Sequence, residues 1–211
     1  MTSELEKTMK KGMKDNIERK QPSINDVIFH EGMPLFSFIE LNINEICNRR
    51  CPFCPRVDPE IYPNQNIHMD METVQTIAEQ LSDLGFTGIV NISGTGEPLL
   101  TKYIVDIVRE FGKRDIHIEI VTNGDVLQRK RGAQLIKDLY EAGLQQFVVS
   151  IYDGPEQIES FDNLFNSCGI NNNQYSLRDR WYDESEDYGL LYTNRAGNIG
   201  FEHLSDVAKN K

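Results

Sequence analysis

No stretch of the 211-residue chain approaches the roughly 18–20 consecutive apolar residues needed to cross a bilayer. The longest apolar runs, around Leu35–Leu41 and Phe147–Tyr152, have the length of strands. The first twenty residues mix both charge signs around no apolar centre, so they do not read as a signal peptide. A positive excess is also missing: 22 Lys and Arg face 33 Asp and Glu, a net charge of −11. Such a surface repels phosphate backbones and anionic lipid, which argues against general nucleic-acid binding and against a membrane role. There is no internal repeat and no low-complexity linker. The expected layout is a polar N-terminal arm over residues 1–30, one domain over 31–187, and a tail over 188–211. Without an export signal the chain is expected to be cytoplasmic, where thiols stay reduced. Its four cysteines therefore point to metal or redox chemistry rather than to disulfides.

What is present is an alternation of strand-like and helix-like patterns. Leu35–Ile46 is extended and apolar. Asp70 is placed to cap a helix carrying Val74, Ile77, Ala78, Leu81 and Leu84, with Gly85 as its stop. Gly88–Ser93 is a second strand, and Thr101 is expected to cap a helix with Ile104, Ile107, Val108 and Phe111 that stops at Gly112. His117–Val121, a helix through Leu135, Ile136, Leu139 and Ala142, and Gln146–Tyr152 continue the series. Pro155 opens a fourth helix bearing Ile158, Phe161, Phe165 and Cys168 on one face. Tyr175–Tyr182 alternates as a fifth strand, with Ser176, Arg178 and Arg180 on one side and Tyr175, Leu177 and Trp181 on the other. Successive β-then-α units predict an α/β fold with a parallel sheet and outer helices. A full eight-unit barrel needs about 250 residues. The expectation is thus a partial (β/α) barrel of about five to six strands.

Cys47, Cys51 and Cys54 lie within eight residues, directly after the first strand. Strand ends of a β/α arc are where active sites are built. Three thiolates on one turning loop can hold three corners of an iron–sulfur cube and leave its fourth iron open. The other reading is zinc, with His68 or His117 as fourth ligand, but no second Cys-x-x-Cys pair completes a zinc ribbon. Cys168, at helical spacing with Phe161 and Phe165, reads as a core thiol.

The spacing Cys-x-x-x-Cys-x-x-Cys, with Phe53 just before the last cysteine, resembles the radical S-adenosylmethionine (radical SAM) superfamily. The likeness extends from about Phe36 to Trp181. It implies a 4Fe–4S cluster on Cys47, Cys51 and Cys54, the residues on which catalysis depends. The cluster would reductively cleave S-adenosylmethionine to a 5′-deoxyadenosyl radical, which abstracts hydrogen from a substrate carbon. It also implies a reductant such as flavodoxin or ferredoxin. Ser93-Gly94-Thr95-Gly96-Glu97-Pro98 resembles the family's Gly-Gly-Glu-Pro motif, which assigns Gly94, Gly96 and Glu97 to the methionine amino group. Thr122-Asn123-Gly124 matches a strand tip common in relatives. Ser150 is carried over to the ribose hydroxyls, and Phe53 to the adenine. Arg178 or Arg180 could grip the cofactor carboxylate, or both could form surface pairs with Asp183–Asp187. Arg49, Arg50 and Arg56 could stabilise the cluster, attract an electron donor, or be solvated.

The residues do not identify the substrate, nor whether the class is oxidoreductase, lyase or transferase. Tyr188–Gly197 resembles the approach to the cysteine-bearing extension called SPASM, but no cysteine follows it. The absence of a helix after the fifth strand suggests a wide opening, which leans toward a peptide or protein substrate. A small-metabolite enzyme, a non-catalytic iron–sulfur or partner module, and a zinc domain are the alternatives. Tyr188–Gly200 is expected to cover the open sheet edge or to meet a second chain or copy that completes the barrel.

Overall fold

A computed structural model describes residues 27–181. Most of the expected arm, the tail, the acidic patch Asp183–Asp187 and the edge-covering segment Tyr188–Gly200 lie outside the described residues. The chain first forms a small antiparallel hairpin, β1 (Phe29–His30) and β2 (Met33–Pro34). Five parallel strands follow: β3 (Phe38–Leu41), β4 (Ile89–Ile92), β5 (His117–Thr122), β6 (Gln146–Ile151) and β7 (Tyr175–Asp179). Between them run α1 (Met71–Asp83), α2 (Ile104–Gly112), α3 (Gly132–Glu141) and α4 (Glu156–Ser167).

The strands lie side by side in chain order, β3-β4-β5-β6-β7, with no reversal. Right-handed crossovers that never reverse put every helix on one face of the sheet, which is how a barrel begins to close. The expected five to six parallel strands are met by five. The face toward the helices is apolar: Val90, Ile92, Ile118, Ile120, Phe147, Val149 and Ile151 all join one core with Val74, Ile107, Ile136 and Phe161. The opposite face mixes polar positions, Asn91, Glu119 and Ser150, with apolar ones, Val121 and Val148. Asn91 and Glu119 are register partners, each 2% exposed, and Asn91 Nδ2 donates to Glu119 Oε2 at 3.1 Å. This alternation is why β4 to β7 read as strands at all.

Several local expectations were wrong for identifiable reasons. β3 is shorter than Leu35–Ile46. Leu35 belongs to the hairpin (its N–H donates to Ile28 O, 2.7 Å), and Ile43 and Glu45 leave the sheet to pair with Met69 and Ile67. β7 ends at Asp179, before Tyr182. Asp70 does cap α1, accepting from the Thr73 N–H. Thr101 caps nothing: α2 starts at Ile104 without a side-chain cap. The Thr101 hydroxyl is buried and engaged by Asn44 Nδ2 at 2.8 Å and His68 Nδ1 at 3.1 Å. Gly112 is the last residue of α2 rather than its stop. A Cβ there would stand 2.3 Å from Ala142 O, so glycine is required where α2 and α3 meet.

Candidate active site

The cysteine loop is shaped by its own polar contacts. Asn64 holds Cys47 from both sides: Cys47 N–H donates to Asn64 Oδ1 (2.9 Å), and Asn64 Nδ2 donates to Cys47 O (2.8 Å). Arg56 is 3% exposed. Its guanidinium donates to Thr95 O (2.6 Å), Pro63 O (3.2 Å) and Glu45 Oε2 (2.7 Å), and lies over the Tyr62 ring. Arg56 is thus a buried fastener between the cysteine loop and the glycine-rich turn. Arg49 donates from Nη1 and Nη2 to Asp153 (2.7 and 2.6 Å), and from Nε to Asp125 (2.9 Å). These contacts keep it firmly charged and tie the loop to the ends of β5 and β6. Of the three arginines flanking the cysteines, only Arg50 is exposed.

Cys47, Cys51 and Cys54 line one open cleft at the C-terminal ends of the strands. Burial raises the Cys47 and Cys51 thiols, Cys51 to about 12, and the neighbouring cysteines add to the rise. Thiolates in this place need a positive centre to hold them. The Arg49 N–H and Asn123 Nδ2 stand 3.5 and 3.9 Å from Cys47 Sγ, so donors already face that sulfur. Among the described residues no three His, Cys, Asp or Glu side chains converge on a single metal ion. His68, the expected zinc partner, has both ring nitrogens engaged, by Thr101 and Asn66. Cys168 lies away from the cleft, its Sγ directed at Ala133 O in the helix layer.

The same cleft is lined by Phe53, Gly94, Gly96, Glu97, Asn123, Ser150, Arg178 and Arg180. β4, β5, β6 and β7 each deliver residues there from the face opposite the helices or the tip beyond it. Ser150 and Arg178 are register partners, and Arg178 Nη2 donates to Ser150 Oγ at 3.3 Å. Glu97 is 2% exposed. Its Oε1 accepts from Thr122 Oγ1 (2.6 Å) and Leu99 N–H (3.1 Å), its Oε2 from Asn123 N–H (2.8 Å). A carboxylate offers about four lone-pair sites, so the Oε2 atom keeps acceptor capacity. Burial pushes Glu97 up to about 7 against the pull of these three donors. A cation placed beside it would favour its ionised form.

The glycines have a reason beyond ligand approach. A Cβ on Gly96 would lie 2.0 Å from Asn44 Oδ1 and 2.3 Å from Asn44 O, and one on Gly94 would lie 2.5 Å from Asn42 Oδ1. The turn crosses the end of β3 too closely for side chains. Gly96→Ala is expected to destabilise the fold by about 1–3 kcal/mol, the usual cost of forced overpacking. A thermal melt within 1 °C of the parent would refute this.

Sequence reasoning missed Ser93 and Tyr152. Ser93 Oγ is buried on the cleft wall with no hydrogen-bond partner among the described residues, a cost that a bound polar ligand would remove. The Tyr152 ring stacks on Phe53, with centroids 5.8 Å apart, and burial pushes its hydroxyl up to about 12. No motif flagged Ser93 as a ligand group. Tyr152 could have been found by period two from Ser150.

The orphaned Ser93 hydroxyl, the under-compensated Glu97 and the three thiols in one cleft fit an iron–sulfur cluster together with a cationic, hydroxylated cofactor. The comparisons with known proteins agree. Residues 41–175 match the family model described as the Radical SAM superfamily. The chain is 38% identical over 123 residues to an S-adenosyl-L-methionine-dependent 2-deoxy-scyllo-inosamine dehydrogenase of Niallia circulans, covering 57% of this chain and 46% of that protein. It is 35% identical over 120 residues to a GTP 3′,8-cyclase of Limosilactobacillus fermentum, covering 56% of this chain and 34% of that one. Among solved structures, BtrN in complex with AdoMet and 2-DOIA superposes with a TM-score of 0.61 at 30% identity, covering 78% of this chain and 62% of that chain. The chain spans less than half the length of these two curated relatives. With well over half of its residues inside the family model, the chain belongs to the radical SAM superfamily, whose enzymes use a 4Fe–4S cluster and S-adenosylmethionine.

Proposed function

We propose that this chain is the catalytic core of an enzyme that cleaves S-adenosylmethionine reductively and abstracts hydrogen from a small, hydroxylated metabolite. The observation that carries the reading is the gathering of every candidate position, from Cys47 to Arg178, around one cleft. Cys47, Cys51 and Cys54 would hold the cluster. Glu97 would accept the methionine ammonium, and Arg178 or Arg180 its carboxylate. Ser150, Ser93 and Asn123 would take hydroxyls, and Phe53 would flank the adenine. When bound, the cofactors supply one-electron cleavage of a carbon–sulfur bond to methionine and a 5′-deoxyadenosyl radical. The protein's part is to hold the charged ends in place and to keep water from the reacting centre.

The sequence leaned toward a peptide or protein substrate. Nothing in the comparisons supports that lean. The relatives' own names give a cyclic amino alcohol and a nucleotide as their substrates. The segment on which the wide-opening argument rested lies outside the described residues. An oxidoreductase outcome is the one favoured by the dehydrogenase likeness.

The test is anaerobic turnover of the reconstituted protein with dithionite and S-adenosylmethionine, followed by mass spectrometry. Methionine and 5′-deoxyadenosine are expected in equal amounts, and neither from Cys51→Ala. Deuterated aminocyclitols and nucleotides, offered in turn, should identify the substrate by transfer of deuterium into 5′-deoxyadenosine. A brown, S-adenosylmethionine-binding protein that forms no 5′-deoxyadenosine would overturn the catalytic reading in favour of a cluster-binding module.

A further inference from the structure

Although the chain is strongly acidic, most of the unpaired positive charge among the described residues gathers at one end of the sheet. Among the described residues Arg49, Arg56, Arg109, Lys113 and Arg114 are consumed in ion pairs. Arg178 and Arg180 line the cofactor cleft. The exposed cations that form no ion pair among the described residues are Arg50, Lys102, Arg129, Lys130, Arg131 and Lys137. All but Lys137 follow the C-terminal end of a strand: Arg50 in the cysteine loop after β3, Lys102 after β4, and Arg129–Arg131 after β5.

Lys102, Arg129 and Arg131 rim a second cleft of about 560 Å³ whose floor includes Leu99, Val126 and Leu135. An apolar floor within a charged rim is the anatomy of a protein interface rather than of a nucleic-acid groove. The loop that presents the cations is tied down by its own packing and backbone hydrogen bonds. Leu127, 1% exposed, anchors it. Successive turns close it through Leu127 N–H to Gly124 O, Arg129 N–H to Val126 O and Gly132 N–H to Arg129 O. A Cβ on Gly132 would fall 1.6 Å from Leu127 O, so the loop packs directly on itself. Its other end is fastened to the cysteine loop. Asp125 accepts from Asn48 and Arg49, and Asn123 Nδ2 lies 3.9 Å from Cys47 Sγ. Four residues, at most about 14 Å of chain, separate Asp125 from Arg129.

We infer that Lys102, Arg129 and Arg131 around this second cleft, with the exposed Lys130 between the two arginines in sequence, form the docking surface for a small acidic electron-transfer protein that delivers one electron to the cysteine site. The inference rests on the cluster reading proposed above. The carrier is oxidised by one electron and the cluster is reduced by one. A cationic rim attracts an acidic carrier to this end of the described domain.

The test uses an oxidised, acidic flavodoxin as probe, with binding to the immobilised full chain read by biolayer interferometry, which needs no cluster. The triple variant Arg129→Glu, Lys130→Glu, Arg131→Glu should weaken association at least tenfold at low ionic strength. The gap to the parent should close at high salt. Lys137→Glu, one such charge reversal on the exposed side of α3, should change it less than twofold, whereas Arg131→Glu alone should weaken it measurably. Circular dichroism checks that the fold is kept. In the reconstituted protein the triple variant should slow cluster bleaching by reduced flavodoxin and leave bleaching by photoreduced deazaflavin unchanged. Equal binding by parent and triple variant, an equal loss in Lys137→Glu, or capture of single-stranded RNA in preference to flavodoxin would overturn the inference. Failure of the parent to assemble a cluster would count against the proposed function alone, because the binding arm decides docking without one.

Discussion

Alanine at Cys47, Cys51 or Cys54 is expected to abolish stable cluster assembly. Iron bound after anaerobic reconstitution should fall from near four per chain, as a cube of four irons requires, to background. The fold should survive each change. The loop is held by Asn64, Arg56 and Arg49 rather than by the thiols, so melting temperatures without iron should match the parent within a few degrees. Cys168→Ala is the control: its sulfur faces Ala133 in the helix layer, and iron content should not change. Iron retained by any of the three loop variants would sink the ligand assignment.

The second large effect belongs to Glu97. Its carboxylate is held by Thr122, Asn123 and Leu99, and removing a charged partner from a buried site costs about 1.5–3 kcal/mol or more. Glu97→Gln should therefore weaken S-adenosylmethionine binding at least roughly tenfold while leaving the iron content intact. A second signature follows from burial. The folded chain holds Glu97 up to about 7, above the ordinary value of 4.5. A raised acid favours the folded state while it is protonated, so its contribution is present below about pH 4.5 and is lost as pH climbs through 7. The loss is on the order of 3 kcal/mol. Without cofactor, the parent's melting temperature should decline between pH 5 and 8, and Glu97→Gln should flatten that decline. An ammonium bound at Oε2 supplies the missing cation, so saturating S-adenosylmethionine should flatten it too. Unaltered affinity by titration calorimetry would contradict the placement, and an equal pH slope in parent and variant would contradict the electrostatics.

Much of this was legible because it is written in local periods. Period two put Arg178 and Arg180 on one face, opposite Leu177 and Trp181, but left open whether that face met the cofactor or Asp183–Asp187; both line the cleft. Cys47, Cys51 and Cys54 are close in sequence, so their meeting needed no topology. Partners far apart in the chain were not legible. Nothing near Arg56 announces that it binds Thr95 O across 39 residues. Thr101 looked like a cap because a threonine before a helix usually is one, but the helix starts at Ile104 and the threonine hydroxyl is taken by Asn44 and His68, neither of them near it in sequence. Gly112 and Gly96 were recognisable as glycines with a purpose. The neighbours that impose it, Ala142 and Asn44, came from elements that sequence could not bring together.

The fastening of the cysteine loop bears on the life of the protein in air. Asn64 on Cys47, Arg56 on Thr95 and Arg49 between Asp125 and Asp153 span the loop from its first cysteine to its last, and each contact is protein to protein. Where metal organises its own site, losing the metal unfolds the chain. Here the fastening runs through protein groups alone, so the loop is expected to keep its shape without iron. A chain that loses its cluster to oxygen should then be open to repair by reloading instead of being cleared and made again.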